Sequence, residues 1–271
     1  MRWPRSRLLR ALLVLAAVYL LGSLLLAVFA NTLMFRPPPP GYRDGGDTIK
    51  LRTSDGAHIS ARYLPNPTAK YTVLFSHGKR DDLATVAPFL QRLHDWGYAV
   101  LAYDYHGYGT SEGKPSEENA YRDIAAAYDY LTAEQHLAPA RIIPLGHSLG
   151  TGPTVDLATR RPAAGVILDS PYTSAGRVLT WVRMLPFDRF DNLRKIARVS
   201  SPLLFLHRKD DRVVPFRQGL TLYQAARSPK QCYWVERGGH EAIYRDDGPA
   251  YRQRLAGFCR LVEDLPAPGR N

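Results

Sequence analysis

The sequence predicts an α/β fold in which a mostly parallel central sheet is covered by helices on both faces. Short apolar or β-branched runs alternate along the chain with segments of helical periodicity. Several of these runs are apolar throughout, which is typical of parallel strands buried on both faces. The 271 residues, 45% of them hydrophobic, suffice for one large core. We therefore expect one large domain with an N-terminal extension.

The N-terminal extension is basic at first and then apolar. Arginines at positions 2, 5, 7 and 10 precede residues 11–30, which carry no charge. As a helix, this run would cross the hydrocarbon layer of a membrane, about 30 Å thick. The arginines predict a cytoplasmic N-terminus, which places the rest of the chain outside the cytoplasm. A secretory signal peptide cleaved after Ala30 is the alternative.

These features divide the chain into five parts. The first is a cytoplasmic basic N-terminus, followed by one transmembrane helix that acts as an anchor and by a stiff proline-rich spacer. The large domain and a short tail complete the chain. In the same order, the parts are residues 1–10, 11–35, 36–48, 49–265 and 266–271.

The large domain alternates strand-like and helical patterns in the order expected of a parallel sheet. The strand-like runs cover residues 72–76, 98–104, 141–145, 164–169, 202–207 and 231–236. The helical patterns cover residues 85–96, 118–132, 151–161 and 251–265. The carboxyl ends of parallel strands meet at one edge of the sheet, where α/β proteins bind ligands.

A segment at residues 171–200 is long enough to form a short cap over that edge. Its apolar residues include Trp181, Met184 and Phe187, which we take as candidate substrate-binding residues. They would either line an acyl pocket or pack the cap onto the domain, and the local pattern does not decide between the two.

The charge pattern argues against a nucleic-acid-binding protein. The net charge is +11 and the pI is near 9.7, but the basic residues of the domain are scattered among acidic ones and form no stripe or recognised module. Such a surface is expected to be attracted to anionic membrane lipids.

Two cysteines are too few for a disulfide scaffold or a cysteine-only zinc site. Cys232 and Cys259 would be able to pair outside the cytoplasm, but two separate buried thiols are the favoured interpretation. The histidines show no ligand spacing, and no phosphate-binding or dinucleotide-binding glycine motif is complete. We expect neither a metal nor a cofactor.

The motif that carries chemistry is G-H-S-L-G at residues 146–150, directly after an apolar strand and before a helical pattern. It fits the nucleophile elbow G-x-S-x-G, in which a sharp strand-to-helix turn exposes the serine hydroxyl. Such a turn crowds the residues two positions on either side, and Gly146 and Gly150 meet that requirement. Ser148 is therefore the candidate nucleophile.

A nucleophilic serine needs a histidine base and a carboxylate that orients the base. Asp211 follows the strand at 202–207, and His240 follows the strand at 231–236. Both therefore lie at the same edge of the sheet as Ser148, in the order serine, acid, histidine that is expected for this kind of elbow. The predicted catalytic residues are Ser148, Asp211 and His240.

Four other residues compete for roles at this edge. Asp210 and Asp169 are alternative acids, the first being more simply read as a solvated turn residue. His207 ends a strand and is interpreted as a structural neighbour of the site. His77 is expected to shape a turn through a hydrogen bond to backbone.

The tetrahedral intermediate of such a reaction needs N–H donors for its oxyanion. We expect one donor to be the backbone N–H of Leu149, directly after the nucleophile. The other should come from the loop after the strand at 72–76, and the backbone N–H of Lys79 is the candidate.

Four stretches together resemble the α/β-hydrolase-domain serine hydrolases, closest to the domain-containing-17 group. They are GHSLGTGPTVDLATR, YDYHGYGTSEGKPSEENAYRDI, DSPYTS at 169–174 and the turn D-R-V-V-P. The resemblance runs from about Leu51 to Leu261. It implies the α/β-hydrolase fold and a thioesterase or carboxylesterase that uses Ser148, Asp211 and His240. Eukaryotic members of the group remove palmitate from membrane-attached proteins, whereas the N-terminus here contains no cysteine that a lipid would modify.

The predicted function is thus a membrane-anchored serine hydrolase that cleaves carboxylic esters or thioesters, some of them lipid-like, through an acyl-enzyme. A serine peptidase would use the same three residues. A non-catalytic membrane scaffold would keep only the fold.

Overall fold

The computed structural model describes residues 5–180, 188–240, 243 and 248–265. It contains an eight-stranded sheet with the order β1-β2-β4-β3-β5-β6-β7-β8. The strands are β1 Ile49–Arg52, β2 His58–Leu64, β3 Thr72–Ser76, β4 Ala99–Tyr103, β5 Ile142–His147, β6 Val166–Asp169, β7 Leu203–Arg208 and β8 Lys230–Val235.

The strands from β3 to β8 pair in parallel, as the apolar runs predict. β1 and β2 were not predicted. They pair with each other, and β2 pairs with β4, in both cases antiparallel. The residues of β1 alternate between exposed and more buried positions, and only Leu51 is buried. Such a short strand at the sheet edge leaves a weak sequence pattern.

The helices are α1 Arg5–Met34, α2 Leu83–Asp95, α3 Glu117–Asp129, α4 Thr151–Ala158, α5 Ala175–Thr180, α6 Asn192–Ile196, α7 Phe216–Ala225 and α8 Gly248–Asp264. The four helical patterns predicted in the large domain agree with α2, α3, α4 and α8 to within a few residues, whereas α5, α6 and α7 were not predicted. The pattern that extended to residue 132 continues beyond α3 as a π-helical turn, Tyr130–Glu134. α2 begins with a capping box, in which Asp82 and Thr85 each accept a backbone N–H of the other.

The core lies on both faces of the sheet. One cluster joins strand residues to α2 and α8, through residues such as Phe89 and Phe258. Two further clusters join the sheet to α3 and to α4, α6 and α7. This arrangement is the α/β-hydrolase fold that the sequence predicts, with the carboxyl ends of the parallel strands left for a site.

The N-terminal helix α1 is the most exposed apolar element described. Leu15 and Leu20 are both 65% exposed, and neighbouring leucines and valines are similarly open. Within the described part of the chain, no helix meets the length and hydropathy that crossing a membrane requires.

Phe35, the last residue of the predicted anchor, and the predicted spacer after it are packed against the domain. Phe35 is 2% exposed. The Gly41 N–H donates to Asp82 at 2.7 Å, and the Tyr42 hydroxyl donates to Asp104 at 2.5 Å. Further along the chain, Cys232 and Cys259 are both free thiols.

Candidate active site

Ser148 occupies the sharp turn between β5 and α4. Its φ is +50°, the left-handed region that L-residues rarely adopt. A Cβ at Gly146 would lie 2.5 Å from the Gly150 carbonyl oxygen, and a Cβ at Gly150 would lie 2.0 Å from that of Ser76. Both positions therefore require glycine, as the elbow motif predicts. The Thr151 hydroxyl donates to the Ser148 carbonyl at 2.7 Å and supports the turn.

The three predicted catalytic side chains lie in hydrogen-bonding contact. Ser148 Oγ is 2.9 Å from His240 Nε2, and His240 Nδ1 is 2.7 Å from Asp211 Oδ2. Asp211 follows β7 and His240 follows β8, so the sheet brings to one rim residues that are far apart in the chain. With Nδ1–H donating to the carboxylate, Nε2 can accept the proton of the serine hydroxyl.

Asp211 is held as a carboxylate. Its side chain is buried, and its Oδ1 accepts the N–H groups of Val213 and Val214, each at 2.8 Å. Burial alone would raise the pKa of Asp211, but the hydrogen bonds of His207 and His240, the charge of His240 and the Val214 N–H outweigh it and hold that pKa well below its ordinary value. A permanent negative charge therefore faces the His240 ring.

The loop before His240 is fixed by two residues, Asp210 and Arg208, whose roles the sequence does not predict. Asp210 accepts the N–H groups of Gly238 at 3.0 Å and Gly239 at 2.9 Å. Arg208, almost fully buried, donates to the Gly238 carbonyl. Gly238 has a φ of +128°, and a Cβ there would overlap the Arg208 guanidinium at 1.6 Å. The sequence D-D after β7 predicts two carboxylates at this rim. It does not predict that Asp210 holds the loop before His240.

The competing residues have other contacts. Asp169 lies beside the imidazole of His147, with Oδ2 3.7 Å from Nδ1. His207 Nε2 is 2.9 Å from the Val214 carbonyl and 3.5 Å from Asp211. His207 thus lies behind the acid and does not face Ser148.

His77 lies beneath the loop after β3, where its Nδ1 is 2.8 Å from the Gly78 carbonyl oxygen. Its Nε2 is 3.1 Å from a carboxylate oxygen of Asp104. Burial opposes protonation of His77, but Asp104 outweighs burial and raises the pKa of the imidazole. These contacts fix the loop that carries Lys79.

The two candidate oxyanion donors lie at the same pocket. Leu149 and Lys79 both line it, beside Ser148. Among the described residues, neither backbone N–H has a hydrogen-bond acceptor. The Lys79 carbonyl accepts the Tyr108 hydroxyl at 2.9 Å, which orients this peptide group.

The pocket around Ser148 has a volume of about 460 Å³, within the range of small-molecule sites. It is lined by the following described residues, more of them apolar than charged: Leu33, Met34, Phe75, Gly78, Lys79, Arg80, Asp81, Val86, His147, Ser148, Leu149, Tyr172, Ala175, Val178, Val213, Val214 and His240. A second cavity of about 500 Å³ lies between β8 and α8, with Cys232 and Arg254 in its wall, and it contains none of the predicted site residues.

The candidate substrate-binding residues Trp181, Met184 and Phe187 lie outside the described residues. The described part of the cap contributes Tyr172 and the helix α5 to the pocket. The described residues form no cluster of side chains suited to a metal ion.

The fold and the elbow define a serine hydrolase of the α/β type. A family model described as serine aminopeptidase, S33, matches residues 67–193. The chain is 40% identical over 205 residues to human alpha/beta hydrolase domain-containing protein 17B, covering 74% of this chain and 71% of that protein. It is 40% identical over 227 residues to the 17C protein of Xenopus tropicalis, covering 82% and 72%. The chain belongs to the α/β-hydrolase family and is like the domain-containing-17 proteins, as the sequence motifs predict.

Solved structures show the same fold at lower identity. An esterase of Pyrococcus furiosus has a TM-score of 0.71 at 18% identity, covering 83% of this chain and 99% of that chain. The esterase domain of a Rhodothermus marinus protein has a TM-score of 0.62 at 22% identity, covering 79% and 97%.

Proposed function

We propose that this protein hydrolyses carboxylic esters or thioesters through an acyl-enzyme formed on Ser148. The observation that carries the proposal is the unbroken hydrogen-bonded series from Ser148 through His240 to Asp211, with distances of 2.9 and 2.7 Å, at the wall of a pocket. His240 takes the hydroxyl proton as Ser148 Oγ attacks the carbonyl carbon. Asp211 stabilises the imidazolium that results.

The remaining steps use the same groups. The oxyanion of the tetrahedral intermediate accepts the backbone N–H groups of Leu149 and Lys79. The intermediate then collapses, the bond to the leaving oxygen or sulfur breaks, and His240 gives that atom its proton. A water molecule, deprotonated by His240, attacks the acyl-enzyme, and the second collapse releases the carboxylic acid and restores Ser148.

The test is the loss of a single hydroxyl. Ser148→Ala should lower kcat for short p-nitrophenyl esters by more than about 10⁴-fold, because the nucleophile is absent, while thermal unfolding stays close to that of the unchanged protein. Ser54→Ala, in the exposed turn between β1 and β2, is the matched control and should retain full activity. A fluorophosphonate probe should label the unchanged protein at Ser148. Undiminished turnover by Ser148→Ala would contradict the proposal, and absence of labelling would favour a non-catalytic scaffold.

A peptidase is the second candidate, favoured by the description of the matching family model. It would use the same three residues on an amide. We expect the ester to be cleaved faster than the amide of the same acyl group, and the reverse ratio would support the peptidase.

We also propose that α1 attaches the protein to a membrane, with a cytoplasmic N-terminus and the hydrolase domain on the other side. The exposed apolar side chains of α1 and the arginines that precede its uncharged run at residues 11–30 support attachment. Retention in the membrane fraction after alkaline carbonate extraction tests attachment, and protease accessibility tests the orientation.

A further inference from the structure

The last turn of α1 lies at the active-site pocket. Leu33 and Met34 line the same cavity as Ser148 and His240. Leu33 is 49% exposed and Met34 is partly buried against the domain core. Part of the pocket wall therefore comes from the N-terminal helix, outside the sheet and its crossover helices.

This turn is fixed to the domain by the residues that follow it. The Phe35 ring packs edge-on against Tyr105 and Tyr108, with ring centroids 6.5 Å apart in both cases, and lies 6.0 Å from the Phe190 ring. The Arg36 N–H donates to the Tyr108 hydroxyl at 3.0 Å. That hydroxyl in turn donates to the carbonyl of Lys79. One tyrosine thus connects the end of α1 to the loop of the candidate oxyanion donor.

Apolar surface reaches the pocket from outside along this helix. Outside α1, Val213 is the one large apolar side chain in the described part of the chain that is strongly exposed. Phe29 is 53% exposed and lies one helical turn before Leu33, so the two share a face of α1. The exposed side chains of Phe29 and Leu33 therefore form a short apolar strip on the last turns of α1, and this strip ends in the pocket beside Ser148.

The chemistry of the proposed reaction decides which part of a substrate meets this strip. His240 must protonate the leaving group, so the leaving group lies beside His240. Val213 lies on the leaving-group side of the pocket, because its N–H donates to Asp211, which is hydrogen-bonded to His240. Leu33 and Met34 are connected instead to the Lys79 loop, on the oxyanion side. The acyl chain is then the part that extends toward α1.

We propose that Leu33 and Met34 form the acyl-chain wall of the active site, and that Phe29 extends this wall for chains longer than the pocket. The inference rests on the proposed function and names the residues that would contact the acyl chain of the ester or thioester substrate. The helix α1 then determines chain-length selectivity in addition to any role in attachment.

The test compares p-nitrophenyl esters of graded acyl length with the full chain. In the double variant Leu33→Ser and Met34→Ser, the ratio of kcat/KM for the dodecanoyl ester to that for the acetyl ester should fall about tenfold, because two apolar contacts to the long chain are lost. The loss should appear as a higher KM for the long ester. Leu24→Ser is the matched control, since Leu24 is 61% exposed on the same helix and does not line the pocket. Its ratio should not change.

Two outcomes would overturn the acyl-wall proposal: an unchanged ratio in the double variant, or an equal fall in Leu24→Ser. The proposed function fails separately. If Ser148→Ala turns over the acetyl ester as fast as the unchanged protein does, the catalytic assignment is wrong. If Ser148→Ala loses this activity but the dodecanoyl-to-acetyl ratio of kcat/KM is unchanged in the double variant, only the acyl-wall proposal is wrong.

Discussion

Two histidine–aspartate pairs in this protein have similar geometry and opposite electrostatics. His240 and Asp211 are 2.7 Å apart at the rim of the pocket, and His106 and Asp123 are 2.5 Å apart between the turn after β4 and the helix α3. The His240 side chain is 23% exposed, whereas that of His106 is 2% exposed. Burial raises the pKa of Asp123 to about 6. The pKa of Asp211 is instead lowered, because four donor and charge contacts outweigh its burial.

The difference shows what makes a histidine–aspartate pair suited to catalysis. The carboxylate of Asp211 keeps its charge and can stabilise an imidazolium, and the second nitrogen of His240 faces a hydroxyl. The second nitrogen of His106 lies 3.5 Å from Asp55 and faces no nucleophile. His106 also packs against the turn, where a Cβ at Gly113 would lie 2.5 Å from its ring. The buried pair therefore has a structural role.

The substitution Asp211→Asn should distinguish the His240–Asp211 pair from the His106–Asp123 pair by the largest effect, a loss of kcat. The amide preserves the shape but carries no charge and favours the wrong tautomer of His240, so kcat for p-nitrophenyl esters should fall roughly 10⁴-fold. Steady-state kinetics on the purified protein measure this. A fall of less than tenfold would mean that Asp211 does not orient the base.

The same variant gives a pH dependence of stability. Because the folded pKa of Asp211 is lowered, its carboxylate stabilises the fold fully above the unfolded pKa of about 3.9, and that contribution is lost as the pH falls toward the folded pKa. The difference in unfolding free energy between the unchanged protein and Asp211→Asn should therefore shrink below about pH 4. Urea unfolding at several pH values measures it, and a difference that grows in acid would contradict the lowered pKa.

The next effect concerns the buried pair and appears in stability. Asp123→Ala leaves His106 without its buried partner, so unfolding free energy should fall by about 3–5 kcal/mol, with kcat of the folded protein nearly unchanged. Asp129→Ala is the control on the same helix, since Asp129 forms an exposed ion pair with Arg161; its cost should be under about 1 kcal/mol. Equal losses of unfolding free energy in Asp123→Ala and Asp129→Ala would contradict the view that the buried His106–Asp123 pair contributes more to stability than the exposed Asp129–Arg161 pair.

The sequence predicted most of the sheet and the order of the three catalytic candidates because these depend on local patterns. Apolar runs mark buried parallel strands, and the elbow glycines mark a turn that only glycine fits. The position of Asp211 and His240 after their strands then follows from parallel topology. Placing these two residues at the rim requires no knowledge of contacts between residues distant in the chain.

The rest of the site depends on long-range packing that no local pattern reports. Leu33 lies in the segment 11–35 that is predicted to be a membrane anchor. The packing of Phe35 against Tyr105 and Tyr108 holds the end of this segment at the pocket. The sequence favours a solvated turn residue at Asp210, and its side chain is indeed exposed. Its partners are amide groups 28 and 29 residues further along the chain.

The smallest effect tests whether Asp210 supports the catalytic pair through its loop. The N–H groups of Gly238 and Gly239 both donate to this carboxylate and lower its pKa. Asp210→Asn keeps one acceptor oxygen and loses the charge, so kcat/KM should fall about two- to tenfold, the size expected for one hydrogen bond. The fall should lie in kcat with little change in KM, because a displaced loop moves His240 and leaves the pocket wall in place. Lys209→Ala, which removes only an exposed ion pair with Glu236, is the adjacent control. If the two variants give the same kinetics, then Asp210 has no positioning role and the difference between the rim pair and the buried pair resides in Asp211 and His240 alone.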